Sequence, residues 1–598
     1  MLQPFVHAVA SASVLLRLAQ AIDWALGWHR LPLPLGIAVL LAARKTLRRW
    51  NLFDTGSANP SPLQGAEPRY VTARSPDGSY NDLQQPAMGS TGARFGRNVP
   101  LARTYQEPPQ RLLTPNPRTV SRELLTRDRF IPATTLNLLA AAWLQFQVHD
   151  WLSHGRNEQT NPWLVPLQQD DDWPVRPMRI LRTREDPTQS KTGPKTFQNT
   201  ATHWWDGSQI YGSGADMLAQ LRSGDRGKLK VQPDGLLPLV DNGIDLTGVN
   251  GNWWLGLSLM HTLFTLEHNA ICDRLASEFP RWTDDDLFDH ARLINAALMA
   301  KIHTVEWTPA IIAHPTTRFA MRGNWWGLEM ERLSRLFGRL SSSEVISGIP
   351  GSPTDHHGVP YAITEEFVAV YRMHPLLPDD LSFRSCQTDQ PLREATFAEV
   401  AFRNARSLLQ EVGFDNALYS FGTMHPGAIT LHNFPKALQR LTDLQGNLND
   451  VAAIDLLRVR ERGVPRYNDF RTLLHKPRLQ RFGQLSDNPE WVEQIRRVYE
   501  NDLDSVDLMV GLYAEPRPTG FGFSDTAFRI FILMASRRLK SDRFFTADYS
   551  PRVYTQTGLD WVANSDFSSV LLRHAPTLAA VLRHTGNPFA PWPRVGLN

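Results

Sequence analysis

The stretch Gln145-Phe-Gln-Val-His-Asp-Trp, "QFQVHDW", closes an apolar run that reads as a buried helix. Buried polar groups are costly unless paired, so a glutamine, a histidine and an aspartate this close together need partners elsewhere in the chain. On a helix Gln145 and His149 stand at i and i+4 and share a face, while Asp150 points about 100° away. Adjacent residues can therefore serve two separate sites. A lone buried histidine on such a helix is more often a satisfied core residue than a catalytic one, so the companions decide.

Two further stretches supply candidates. In "ATHWWDGSQIYGS", Thr202, Trp204, Asp206 and Ser208 recur every second residue, and an extended loop would turn them to one side. Hydroxyls, a carboxylate and backbone carbonyls are the hard oxygen donors that Ca²⁺ prefers, and Asp150 is a candidate second carboxylate. A capped turn before "YGS" accounts for the same residues without a metal. In "YRMHPLLPDD", Tyr371 and His374 are i and i+3 at a helix end, because Pro375 and Pro378 stop the helix soon after. If His374 ligates a haem iron, Tyr371 lies one turn away at the ring edge, where the one-electron chemistry of the haem can make a tyrosyl radical.

The elements that must position these residues are mostly helical. From about residue 120 onward, apolar residues recur at three- and four-residue spacing in "TLNLLAAAWLQFQVHDWL", "LGLSLMHTLFTLEHNAICDRLASEF", "ATFAEVAFRNARSLLQEV", "WVEQIRRVYENDLDSVDLMVGLY" and "TAFRIFILMASRRLKSDRFF". Convincing alternating strands are nearly absent, so the expected fold class is mainly α, a large helical domain over 119–598 with long irregular loops. Residues 51–118, rich in Pro, Gly, Ser and Asn, read as an irregular arm. Residues 1–50 are an apolar and basic segment. Its stretch "LPLPLGIAVLLAA" is shorter than the roughly 20 residues that span a bilayer, and Arg44, Lys45, Arg48 and Arg49 follow it at once. That order suits either an interfacial helix in lipid headgroups or a helical layer packed on the core. No basic region precedes the apolar run, so a signal peptide is not expected, and the expected location is intracellular, cytoplasmic or at a membrane surface.

Bulk composition excludes some classes. A net charge of +3 from 63 basic and 60 acidic residues gives no reason to expect a nucleic-acid partner. Cys272 and Cys386 lie far apart, so neither a disulfide framework nor a thiolate metal site is expected. At 598 residues and 42% apolar, the chain can bury a substantial core.

Taken together, Gln-x-x-x-His-Asp, the downstream Thr-x-Trp-x-Asp-x-Ser, "MHTLFTLEHNAICD" (260–273) and "YRMHPLLPD" resemble, in order and rough spacing, the animal-type haem peroxidase and cyclooxygenase superfamily. The resemblance covers most of 120–550. It implies a mainly helical haem peroxidase fold with b-type haem between distal His149 and proximal His374, Gln145 on the distal side, and Ca²⁺ held by Asp150, Thr202, Trp204 through its carbonyl, Asp206 and Ser208. Myeloperoxidase-like members carry an acidic residue immediately before the distal histidine for a covalent haem link; Val148 stands here, so the haem is expected to be non-covalent. Those members also place a distal arginine before the segment that reads "NGNWWLGLSLMHTL" here, which contains none. That absence argues against efficient peroxide cleavage. Cyclooxygenases share Tyr-x-x-His-Pro-Leu-Leu-Pro-Asp, but two cysteines cannot build their disulfide-rich module.

The chain is most similar to fatty-acid α-dioxygenases, which combine the radical tyrosine with the calcium loop. In that family a histidine, a threonine five residues later and a distant arginine hold the substrate carboxylate. "KIHTVEWTPA" supplies His303 and Thr308 at that spacing, and "MASRRLKSDRFF" offers Arg537 and Arg538. Read alone, these are a structural helix histidine, an N-terminal cap before Pro309 and a solvated helix end. The resemblance implies that Tyr371 abstracts a C2 hydrogen from a long-chain fatty acid and that O₂ adds to give a 2-hydroperoxy acid, with peripheral membrane association because the substrate partitions there. The alternatives are an H₂O₂-dependent peroxidase of small donors and a haem-free scaffold, against which the intact His149, Tyr371 and His374 argue.

Overall fold

The apolar periodicity becomes helices whose ends are set by local chemistry. The computed structural model describes residues 3–56 and 67–596, so residues 57–66 of the arm, part of "DTGSANPSPLQGAEP", lie outside the described residues. Helices α1 (Gln3–Leu26) and α2 (Leu33–Trp50) form an N-terminal layer. At the centre, α3 (Leu139–Trp151) packs on α4 (Leu255–Glu278), and α4 on α5 (Asp284–Ile302). There follow α6 (Pro315–Trp326), α7 (Met330–Phe337), α8 (Glu365–Val370), α9 (Val451–Glu461), α10 (Asp525–Ser541) and α11 (Pro551–Asn564), the last packed along α5. α5 begins at a capping box in which Thr283 and Asp286 satisfy each other's backbone N–H groups, with three aspartates complementing the helix dipole.

Strand is confined to three antiparallel two-stranded ribbons: β1 (Glu158–Val165) with β2 (Met178–Arg182), β3 (Asp380–Arg384) with β4 (Pro391–Thr396), and β5 (Leu441–Thr442) with β6 (Leu448–Asn449). Two long helical readings are broken. "ATFAEVAFRNARSLLQEV" becomes Phe397–Val400 and Asn404–Val412, and "WVEQIRRVYENDLDSVDLMVGLY" becomes Pro489–Val498, a 3-10 turn and Leu508–Ala514. In the second case Asp502 and Asp507 sit at helix starts, where such side chains favour caps over helix interiors.

α3 is hydrophobic on nearly every side, as a helix in the middle of a large core must be. α4 is likewise buried along most of its length. In the N-terminal layer, α2 buries Gly36, Val39, Leu40 and Leu47 against the body and exposes Leu35 and Leu41. The described part of the arm lies on the body. Phe53 bridges Arg97, and Gly96 bridges Thr364 at the N-cap of α8.

Candidate functional site

Eleven of the thirteen residues of α3 are buried; the two that are not are Gln145 and Val148. With buried His149 and half-buried Leu152, they stand at i, i+3, i+4 and i+7 on the least buried side of α3. Gln145 is tied down at both ends of its amide, donating to Asn252 O at 3.1 Å and accepting from Trp254 Nε1 at 2.8 Å. His149 has a buried Nδ1 with no hydrogen-bond partner, and burial lowers its pKa to about 4, so the ring is neutral at physiological pH.

α8 delivers the second histidine. Thr364 caps its start by accepting from Phe367 N–H, and Tyr371 ends it; His374 then opens a 3-10 turn fixed by Pro375. His374 Nδ1 hydrogen-bonds Asp455 Oδ2 of α9 at 2.6 Å, and Arg372 engages the other carboxylate oxygen. Burial would raise the Asp455 pKa, but Arg372 and His374 hold it below the usual carboxylate range. Asp455 therefore stays charged, fixes the ring and leaves Nε2 as the nitrogen free to bind a metal. Tyr371 is buried among Phe367 (centroids 4.3 Å apart), Trp151 (5.8 Å) and Phe531 (5.8 Å); its hydroxyl has no protein partner among the described residues, and burial raises its pKa. The chemistry of the two histidines, one neutral and one with a free, carboxylate-backed Nε2, fits the distal and proximal roles that a haem requires.

The third cluster depends on an irregularity. α5 does not stop at Ile302 but runs on through a π turn, His303–Trp307, into Thr308–Ile311, with Thr308 N–H donating to His303 O. An i→i+5 bond stacks residues five apart, so His303 and Thr308 come onto one face. Thr308 is thus inside a continuous helical run, not at a helix start. Both line a small cavity with Trp205 and Arg538 of α10. His303 is boxed by aromatic rings: Trp307 stacks on it at 4.5 Å, and Trp151 and Trp205 meet it edge-on at 5.3 and 5.1 Å. Trp143 Nε1–H donates to its Nδ1 at 3.2 Å, and burial together with Arg538 holds its pKa well below the usual value. A neutral ring accepting at Nδ1 carries its proton on Nε2 and can donate it.

Arg538 lies 3.5 Å from the Trp151 ring and 4.2 Å from Trp205, fully buried, with Nε and Nη2 lacking any partner. A buried guanidinium with unused donors in a cavity is a receptor for an anion, most naturally a carboxylate bound by both oxygens. Arg537, one residue earlier, points elsewhere and donates through Nη2 to the carbonyls of His356, Val359 and Pro360. The cavity shares Met321, Asn324 and Ala535 with a larger apolar cleft between α2, α6 and α10.

Asp150, Thr202, Trp204, Asp206 and Ser208 are all buried. They do not alternate along an extended strand: the loop bends, Gly207 adopts φ 78°, and Ser208 opens a short helix, Ser208–Tyr211. Asp150 Oδ1 accepts from Ser208 N–H at 2.6 Å, while its Oδ2 and Thr202 Oγ1 are buried without partners. Burial and the neighbouring Asp206 raise the Asp150 pKa well above normal; Arg292, 3.1 Å from Asp206 Oδ2, offsets part of the charge. Among the described residues no group of three His, Cys, Asp or Glu side chains forms a metal cluster, so the oxygen set here contains two carboxylates plus hydroxyl and carbonyl donors. Unsatisfied hard oxygens beside two buried carboxylates fit a Ca²⁺ ion. The arm clamps this loop, since Trp204 Nε1 donates to Gly78 O at 2.9 Å and to Met88 O at 3.2 Å. Gly89, at φ 67°, packs so closely that a Cβ there would lie 2.6 Å from Trp204.

Asp455, Trp143 and Trp205 were not singled out from sequence. A lone aspartate in "AAIDLLRVRERG" reads as one charge among many on a helix, and only the fold brings it to His374.

Comparison with known proteins agrees with this geometry. The animal haem peroxidase family model matches residues 73–585. An α-dioxygenase of Oryza sativa subsp. japonica is 36% identical over 94% of this chain and 93% of its own length. Alpha-dioxygenase 2 of Arabidopsis thaliana is 38% identical, over 94% and 91%. A crystal structure of Oryza sativa fatty acid α-dioxygenase, a Tyr→Phe variant with palmitic acid, superposes with a TM-score of 0.91 at 35% identity, covering 98% of this chain and 97% of that one. Four motifs, one fold and near-full-length similarity converge: the chain belongs to the animal haem peroxidase family, in its fatty-acid α-dioxygenase branch.

Proposed function

We propose that this protein is a haem-dependent fatty-acid α-dioxygenase, and the observation that carries the reading is the buried Arg538 guanidinium, with Nε and Nη2 unused, in one cavity with His303 and Thr308. Arg538 binds the substrate carboxylate, His303 donates Nε2–H to it, and Thr308 contributes its hydroxyl from the same helix face. Bound haem supplies the one-electron oxidation that turns the Tyr371 phenol into a phenoxyl radical. Tyr371, wedged against the Trp151 ring that also carries Arg538, meets the carbon next to the anchored head group. The phenoxyl oxygen takes one hydrogen atom from C2; O₂ adds to the carbon radical; the peroxyl radical recovers a hydrogen atom from the phenol. The product is the 2-hydroperoxy acid, and the tyrosyl radical is regenerated. Anchoring selects C2 over chemically similar methylenes, because a displacement of about 1 Å from near-attack geometry costs on the order of 10²-fold in rate.

His374 would ligate the haem iron through Nε2, with Asp455 orienting the ring, while His149 and Gln145 line the distal side. Asp150, Thr202, the Trp204 carbonyl, Asp206 and Ser208 would hold Ca²⁺ and so fix the end of α3. The protein works at a membrane surface, where long-chain fatty acids partition; no helix among the described residues is long and apolar enough to cross a membrane.

Oxygen uptake by the haem-loaded protein with palmitic acid, followed by product mass spectrometry, is expected to give the 2-hydroperoxide. Turnover only of guaiacol-like donors with H₂O₂ would replace this reading with a peroxidase.

A further inference from the structure

A tyrosyl radical is useful only while the unpaired electron stays on Tyr371, and the residues around the phenol decide whether it can leave. Three rings pack there: Phe367, Phe531 and Trp151. A benzyl ring resists one-electron oxidation by a phenoxyl radical, whereas an indole gives up an electron at nearly the same potential as a phenol. Trp151 is therefore the exit. Its ring centroid lies 5.8 Å from that of Tyr371, and Trp205 continues the route 5.4 Å from Trp151.

Two features block this exit. The first is charge. The buried guanidinium of Arg538 lies 3.5 Å from the centre of the Trp151 ring and 4.2 Å from that of Trp205. A cation in that place is attracted by the neutral indole face and repelled by an indole radical cation. Arg538 would also stabilise a phenolate left at Tyr371, but the guanidinium stands over Trp151, Trp205 and Phe367, and Coulomb energy falls with distance, so the repulsion governs. The second is the proton. One electron passing from the indole to the phenoxyl oxygen leaves a phenolate and an indole radical cation; the step is completed when the indole N–H proton passes to the phenolate, giving a phenol and a neutral indolyl radical. Trp151 Nε1 is buried with no hydrogen-bond partner among the described residues, so no protein relay carries that proton away. Trp143 shows the contrast, since its Nε1–H is donated to a basic nitrogen, His303 Nδ1, at 3.2 Å.

We infer that Arg538, beyond holding the substrate, confines the radical to Tyr371 by keeping Trp151 and Trp205 reduced. The inference rests on the dioxygenase reading above and deepens it. Before a fatty acid binds, the carboxylate that acts on Arg538 is Asp150, which spends Oδ1 on Ser208 N–H. The shield is then at full strength, when the radical has nothing else to react with. Once a fatty-acid carboxylate neutralises the guanidinium, abstraction from C2 competes with escape.

The test is electron paramagnetic resonance of the full-length, haem-loaded protein oxidised with H₂O₂ without substrate. Ring-deuterated tyrosine or indole-deuterated tryptophan is incorporated, so that each label narrows only its own radical's spectrum. In wild type only the tyrosine label is expected to change the signal. Arg538→Leu is expected to add a signal that answers to the tryptophan label and to shorten the life of the tyrosyl signal about tenfold or more. Arg538→Leu/Trp151→Phe is expected to return a tyrosine-only signal, and Arg538→Lys, which keeps the charge, to resemble wild type. One arm needs no substitution: 2,2-difluorohexadecanoic acid, a carboxylate with no C2 hydrogen to give, is expected to neutralise Arg538 in wild type and bring out the tryptophan signal. A tryptophan radical in wild type without the acid overturns the proposal; so do tyrosine-only spectra of equal lifetime in wild type, Arg538→Leu and the complex with the acid. A tryptophan signal in Arg538→Leu that survives Trp151→Phe removes Trp151 as the exit. Wild type that forms no protein radical at all refutes the dioxygenase reading itself, a result distinct from these.

Discussion

Arg537 and Arg538 are adjacent, chemically identical and both buried, yet consecutive residues on a helix diverge by about 100°, and the divergence gives them different work. Arg537 spends its Nη2 on three backbone carbonyls, whereas Arg538 faces the cavity across the rings of Trp151 and Trp205. Arg538→Leu is expected to raise KM for palmitic acid by about 10- to 100-fold, the worth of a charged hydrogen-bonding pair. Arg537→Leu is expected to leave KM within about threefold and to lower Tm instead, because carbonyls at 356–360 lose their donor. Steady-state oxygen uptake beside thermal melts separates the two; equal KM effects would place the carboxylate elsewhere. The family resemblance offers this pair as the proposed anchor, and the choice between them depends on what packs against each face, which sequence does not show.

The helices and the order of the chemical motifs were legible in the sequence; the details that make them a site were less so. The i, i+4 pairing of Gln145 with His149 and the outward turn of Asp150 follow from helical period alone. The π turn does not, because an i→i+5 bond leaves no signature in "HTVEWTP" and Thr308-Pro309 imitates a helix start. Nor could the shape of the Thr202–Ser208 loop be read from alternation: Gly207 breaks the extended path, and Ser208 arrives by a helical turn. That loop holds the end of α3 through Ser208 N–H and Oγ on Asp150, at 2.6 and 3.0 Å. If the loop holds the proposed Ca²⁺, chelation removes the cation that keeps Asp150 and Asp206 ionised side by side, one residue from His149, so the Soret band of the holoprotein is expected to shift on adding EGTA and to return on adding Ca²⁺. Asp150→Asn should make the spectrum indifferent to EGTA. A wild-type spectrum untouched by chelation would disconnect the loop from the haem.

At the scale of the whole molecule, the interior is held partly by histidines kept neutral. His154 and His268, far apart in the fold, each have a pKa lowered to about 4 by burial from an ordinary 6.5. Between those values the unfolded chain binds more protons than the folded one, so stability is full above pH 6.5 and declines as pH falls toward 4. Together they are expected to cost on the order of a few kcal/mol across that window, visible as a lower Tm at pH 5 than at pH 7; equal melting at the two would mean the rings are solvated. His149, Asp150 and Trp151 are three successive residues of α3 that serve the proposed haem face, the proposed metal loop and the Arg538 cavity. One rigid rod therefore sets three origins at once, and their mutual placement cannot drift piecemeal. The cleft wall, by contrast, is assembled largely from α2 and α6, which bear none of these groups, while α10 contributes Ala535 one turn before Arg538. The reacting end is locked, whereas substitutions on the α2 and α6 sides of the cleft, away from Arg538, would change the space for the proposed substrate's tail without detuning the chemistry.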